Sequence, residues 1–100
     1  MSAPFPIPLQ GIPAFCRKWR IKELALFGSV LRQDFRTESD VDVLVVFEPD
    51  DPWSLLDLAS MKLELEAMFG RPVDVVEQAA LRNPYRRASI LRSKRTVYAA

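Results

Sequence analysis

The chain has no histidine, a single cysteine and only three glycines among its 100 residues. Without histidine, Ser-His-Asp and Cys-His nucleophilic catalysis are excluded, and so are most zinc sites. With Cys16 alone no internal disulfide can form, which fits a reducing, cytosolic setting. No apolar run approaches the ~18 residues that a membrane helix needs. The N-terminus does not read as a signal peptide, because Pro4, Pro6 and Pro8 interrupt its apolar residues and no basic region precedes them. Internal repeats and low-complexity tracts are also lacking. Any catalysis must therefore rest on carboxylates, with a hard metal ion as their natural companion.

The composition that remains is that of one globular domain: 49% hydrophobic and 27% charged residues. A chain of this size buries somewhat over ~60% of its extended surface on folding, enough for one core. The net charge of +1 conceals an uneven distribution. Residues 1–22 carry four basic and no acidic side chains, residues 23–70 eleven acidic against three basic, and residues 71–100 seven basic against two acidic. An acidic middle suits cation binding, and basic ends suit phosphate, nucleic acid or an acidic protein face.

Residues 1–11 are proline-rich and aperiodic and read as an arm. Pro13 can open a short helix over Ala14–Trp19. Glu23–Phe27 is a short apolar run ending at Gly28, as expected of a buried strand and a tight turn. A short helical stretch over Val30–Gln33 and a polar loop over Asp34–Glu38 follow. Val41–Phe47 is rich in β-branched residues and is the clearest strand. Asp51 as N-cap and Pro52 at the first helical position predict a helix over Trp53–Phe69, with Leu55, Leu58, Ala59, Leu65, Met68 and Phe69 as its apolar positions and Gly70 as its C-cap. Pro72–Glu77 reads as a third strand. Asn83-Pro84 separates two helical pieces, the second reaching Arg92, and Thr96–Tyr98 is open to a short terminal strand. Strands interleaved with helices define a small α/β or α+β layer structure. Cys16, Met61 and Met68 fit packing roles, and Trp19 and Trp53 fit core or interface anchors.

The chemistry concentrates between Leu26 and Phe47. Asp40 and Asp42 stand two apart at the start of a strand, so the strand period places both carboxylates on one face. Two adjacent carboxylates repel and resist desolvation, and a hard divalent cation between them removes that cost. Mg²⁺ takes one or two carboxylates and completes its shell with water and substrate phosphates. Asp74, between Val73 and Val75, joins the same cluster if its strand pairs beside the first, and is placed there to orient or deprotonate an attacking hydroxyl. Gly28-Ser29 lies at a strand-to-helix turn, where glycine allows close backbone approach and a helix N-terminus offers N–H groups to phosphate. Arg32, one turn on, can reach a phosphate or a site carboxylate.

The sequence Gly28-Ser29, Arg32, then Ser39-Asp40-Val41-Asp42 resembles the signature of the nucleotidyltransferase superfamily related to DNA polymerase β. The whole chain from about Leu9 onward is similar to minimal nucleotidyltransferases of the MNT type, including Glu66–Gly70, Val73–Val76 and Arg86–Leu91. The resemblance implies a small mixed sheet of three or four strands flanked by helices, forming one domain over residues 12–100. It implies that Gly28, Ser29, Arg32 and Ser39 bind the nucleotide, that Asp40, Asp42 and Asp74 are catalytic and hold Mg²⁺, and that AMP passes from ATP to an acceptor hydroxyl with release of pyrophosphate. Family members of this size commonly act as cytoplasmic antitoxins beside a helical HEPN-type toxin, and some transfer AMP to a tyrosine of it. One departure is Gln33, where many relatives have glycine after the arginine; it alters the loop before Asp40 and touches no metal ligand.

Two further readings stand beside this one. The chain could neutralise its partner by occlusion alone, with the metal site vestigial. It could bind nucleic acid through its basic ends, although no aromatic stacking platform is evident. The chain is also short, so a partner or a second copy is expected to complete the site.

Overall fold

The computed structural model describes residues 9–28, 40–48 and 53–99. A 3-10 turn over Leu9–Gly11 runs into helix α1 (Ile12–Lys18), which is followed by strands β1 (Ile21–Phe27) and β2 (Val41–Phe47). Helix α2 (Leu55–Phe69), strand β3 (Val73–Glu77), a 3-10 turn over Gln78–Ala80, helix α3 (Pro84–Ser93) and strand β4 (Arg95–Ala99) complete the chain. The expected α/β layer structure is present, and the terminal segment left open by the sequence is a strand.

The four strands form one sheet in the order β3-β2-β1-β4. β1 pairs antiparallel with both β2 and β4, whereas β2 and β3 run parallel. A parallel pair requires a crossover, and α2 supplies it. Strand alternation then sorts the side chains into two layers. On one face Leu24, Leu26, Val41, Val43, Val45 and Val73 pack with Ile12, Phe15 and Cys16 of α1 and Met61, Leu65 and Phe69 of α2. On the other, Ala25, Phe27 and Leu44 pack with Leu81 and with Ile90 of α3.

Local chemistry sets the helix ends. α2 begins two residues later than expected, at Leu55, because Ser54 rather than Asp51 is its N-cap. Ser54 Oγ accepts from the Asp57 backbone N–H at 3.2 Å, and Asp57 Oδ2 accepts from the Ser54 N–H at 2.9 Å. This reciprocal box satisfies two backbone donors that a helix start otherwise leaves unpaired. Gly70 closes the helix in the left-handed conformation, at φ 72°, as read from the sequence. Asn83 caps α3 by accepting from Tyr85 and Arg86 N–H groups, both at 3.0 Å.

The apolar positions of α2 need one correction. Leu65 and Phe69 are buried and Leu58 and Met68 pack at the margin, but Leu55 and Ala59 are exposed and Met61 takes the central place. The buried stripe runs 58, 61, 65, 68 and 69, and Leu55 and Ala59 lie around the helix from it. Trp19 and Trp53 do serve as anchors, meeting edge to face with centroids 5.2 Å apart at the core margin. Glu64 ties α2 to α1, accepting from Lys18 Nζ at 2.9 Å and Trp19 Nε1 at 3.2 Å.

Candidate functional site at the β2 entrance

The site lies where β1 ends and β2 and β3 begin. Asp42 is the second residue of β2, with Phe27 opposite it on β1 and Asp74 opposite it on β3. Parallel register therefore brings Asp42 and Asp74 side by side on neighbouring strands, ~4.8 Å apart in backbone spacing. By strand alternation both point to the face that carries Leu44, Val76 and α3, away from the α1/α2 core. Asp42 is half-buried, Asp74 is exposed, and Asp40, one residue ahead of β2, is exposed. The β2–β3 ladder is continued at this edge by Val41 N–H, which donates to the Pro72 carbonyl at 2.9 Å.

Gly28 follows β1 directly and has φ +76°. A Cβ there would collide with Asp42 Oδ2 and lie 3.3 Å from its Cγ. The Asp42 carboxylate thus fills the volume that any other residue at 28 would claim. The sequence marks Gly28 as a place where a phosphate approaches backbone; the structure adds a second reason for glycine that sequence spacing does not display.

The arrangement is a carboxylate edge open to solvent. Its oxygens are hard donors suited to a hard divalent cation, and Asp40 and Asp42, just before and at the start of β2, offer the one or two protein ligands that Mg²⁺ takes. Among the described residues no three acidic or thiol side chains converge into a ready-made metal cage. The donor set therefore fits an ion that draws much of its shell from water and substrate phosphate. Ser29, Arg32 and Ser39 lie outside the described residues, as do the expected helix at 30–33 and the loop at 34–38.

Two titratable groups away from this edge serve the fold. Cys16 is fully buried in the first core layer, and burial pushes its thiol up to about 12. Glu23 on β1 accepts from Lys94 Nζ and, at 3.2 Å, from Thr96 Oγ1 on β4; the Lys94 bond holds its carboxyl below its ordinary 4.5.

The sheet presents paired aspartates on neighbouring strand starts, beside a glycine turn. Comparison with known proteins makes this specific: the family model for the nucleotidyltransferase domain matches residues 10–97, and the chain belongs to that family. It is 38% identical over 66 residues to the protein adenylyltransferase MntA of Thermococcus cleftensis, covering 66% of this chain and 65% of that one. A solved structure provisionally named a minimal nucleotidyltransferase superposes with a TM-score of 0.71 at 36% identity, covering 86% of this chain and 85% of that chain. The same fold occurs, with TM-score 0.67 and 16% identity over 93% of this chain and 71% of the other, in a Shewanella oneidensis complex of an MNT antitoxin with a tri-AMPylated HEPN toxin.

Proposed function

We propose that this chain is a Mg²⁺-dependent protein adenylyltransferase that silences a HEPN-type toxin by transferring AMP to one of its hydroxyls. The observation that carries the proposal is the register of Asp42 beside Asp74, with Gly28 held open for the Asp42 carboxylate. The adenylyltransferase name of a relative 38% identical and the AMPylated toxin bound by a structural neighbour support the same reading.

Asp40 and Asp42 hold the cation, and Gly28, Ser29, Arg32 and Ser39 receive the nucleotide's phosphates. When bound, the cation neutralises charge that develops on those phosphates and fixes their orientation. Asp74, on the neighbouring strand, orients the acceptor hydroxyl and takes its proton. The acceptor oxygen forms a bond to the α-phosphorus of ATP, and the bond from that phosphorus to the pyrophosphate oxygen breaks. Among the described residues no helix is long and apolar enough to cross a membrane. The cytoplasm, which supplies ATP and keeps Cys16 reduced, is the compartment this proposal requires.

The test is incubation with ATP, Mg²⁺ and the product of the adjoining gene, read by intact mass. A partner heavier by one or more AMP groups supports the proposal. A stable complex with no mass gain would establish neutralisation by occlusion instead.

A further inference from the structure

Helix α3 carries an arginine face that the reaction site does not use. Residues 71–100 hold seven basic side chains, six of them arginine, and no acidic residue occurs from 78 to 100. The one lysine, Lys94, is committed to Glu23, and Arg87 donates to the Gln78 carbonyl at 3.2 Å. Arg82, Arg86 and Arg92 are exposed and make no ion pair among the described residues. Tyr85 stands between them, 86% exposed. Helical spacing puts Tyr85, Ser89 and Arg92 in one row with Arg86 beside it, opposite the row of Arg87, Ile90 and Leu91 that faces the sheet.

The position of this face matters as much as its charge. Ile90 seats α3 against Ala25, Phe27 and Leu44, on the side of the sheet to which Asp42 and Asp74 point. Anything docked on α3 therefore lies beside the reaction site. Arginine and tyrosine are the residue types that dominate binding energy at protein interfaces, and the arginine fork matches a carboxylate in two-point contact.

We infer that Arg82, just ahead of α3, and the exposed α3 residues Tyr85, Arg86 and Arg92 dock an acidic surface of the acceptor protein and so present its hydroxyl to the site. The inference rests on the adenylyltransferase reading for the identity of what is docked. The small extent of the patch selects protein over nucleic acid. A ten-residue helix spans ~15 Å, room for few phosphate contacts. Nucleic acid binds through many phosphates along its length, whereas a folded partner needs only one acidic patch and one hydroxyl.

The test measures binding of a fluorescein-labelled glutamate–tyrosine copolymer by anisotropy, with a labelled single-stranded RNA as the competing probe. The wild type is expected to bind the copolymer, and R82E/R86E/R92E to bind it about tenfold or more weakly at unchanged melting temperature. The neutral variant R82Q/R86Q/R92Q should fall between them. Copolymer binding unaffected by the triple variants, no copolymer binding, or its displacement by RNA that binds more tightly would overturn the inference. Binding needs no catalysis, so a chain that binds through these arginines yet transfers no AMP would remove the transferase reading and leave the docking surface standing.

Discussion

The Asp42 carboxylate occupies the space above Gly28 that a Cβ would need, and Gly28 holds a backbone conformation that residues with a Cβ rarely adopt. The end of β1 and the start of β2 are thereby fitted to each other around one carboxylate. In Gly28→Ala both constraints act together: the backbone is strained by about 1–3 kcal/mol and the Asp42 side chain is displaced. The expected result is an unfolding free energy, read from urea denaturation, lowered by that amount and transfer activity lowered at least about tenfold, since a small misplacement at a reacting centre is costly. Wild-type activity in this variant would show that Asp42 does not need its observed position.

The buried stripe of α2 makes a paired comparison available. Met61 is fully buried and Leu63 is 66% exposed, two residues apart on one helix. Met61→Ala should destabilise the fold by roughly 2–5 kcal/mol. Leu63→Ala should stay within about 0.5 kcal/mol of wild type. Denaturant unfolding of the two variants reads both, and equal losses would contradict the assignment of the core face.

Lys94 joins β4 to β1 through Glu23, whose folded carboxyl titrates below its ordinary 4.5. A depressed carboxylate adds stability that is fully present above the unfolded value and is lost as pH falls through the folded one. Lys94→Met should therefore be less stable than wild type at pH 7 by ~0.2–1 kcal/mol, the range of a solvent-screened pair. The difference should shrink once pH drops below 4.5. Chemical unfolding of both proteins across pH 2–7 measures it; a difference that grows toward acid pH would reverse the sign of the linkage.

Cys16 supplies a probe of global opening. Its thiol is buried and raised to about 12, so thiolate is scarce in the folded protein. Iodoacetamide at pH 8 should leave native protein unlabelled and modify it completely in urea, as read by intact mass. Fast labelling without denaturant would show that the α1 layer opens locally.

The elements that carry the candidate site are legible in the sequence because they are local. Asp40 and Asp42 follow from the strand period, Gly70 from helix termination, and the β-branched run at Val41–Phe47 from its composition. The relations that complete the site are not local. Whether Asp74 meets Asp42 depends on β3 pairing in parallel with β2, in a register set by packing across α2. The Gly28–Asp42 fit depends on an antiparallel pairing over fourteen positions of chain. Asp51-Pro52 and Ser54-Asp57 both read as credible helix starts, and the reciprocal box of Ser54 and Asp57 is the one that caps α2. The spacing of Leu55 and Ala59 fits an inward stripe, while the stripe that packs is centred on Met61.

The most direct measurement is to present the adjoining gene product with ATP radiolabelled at either the α- or the γ-phosphate, in Mg²⁺, beside an Asp40→Asn/Asp42→Asn control. The account expects label on the partner from α-labelled ATP only, lost in the control while both proteins remain folded. Label from γ-labelled ATP, or equal α-label with the control, would contradict nucleotidyl transfer by the Asp40–Asp42 edge.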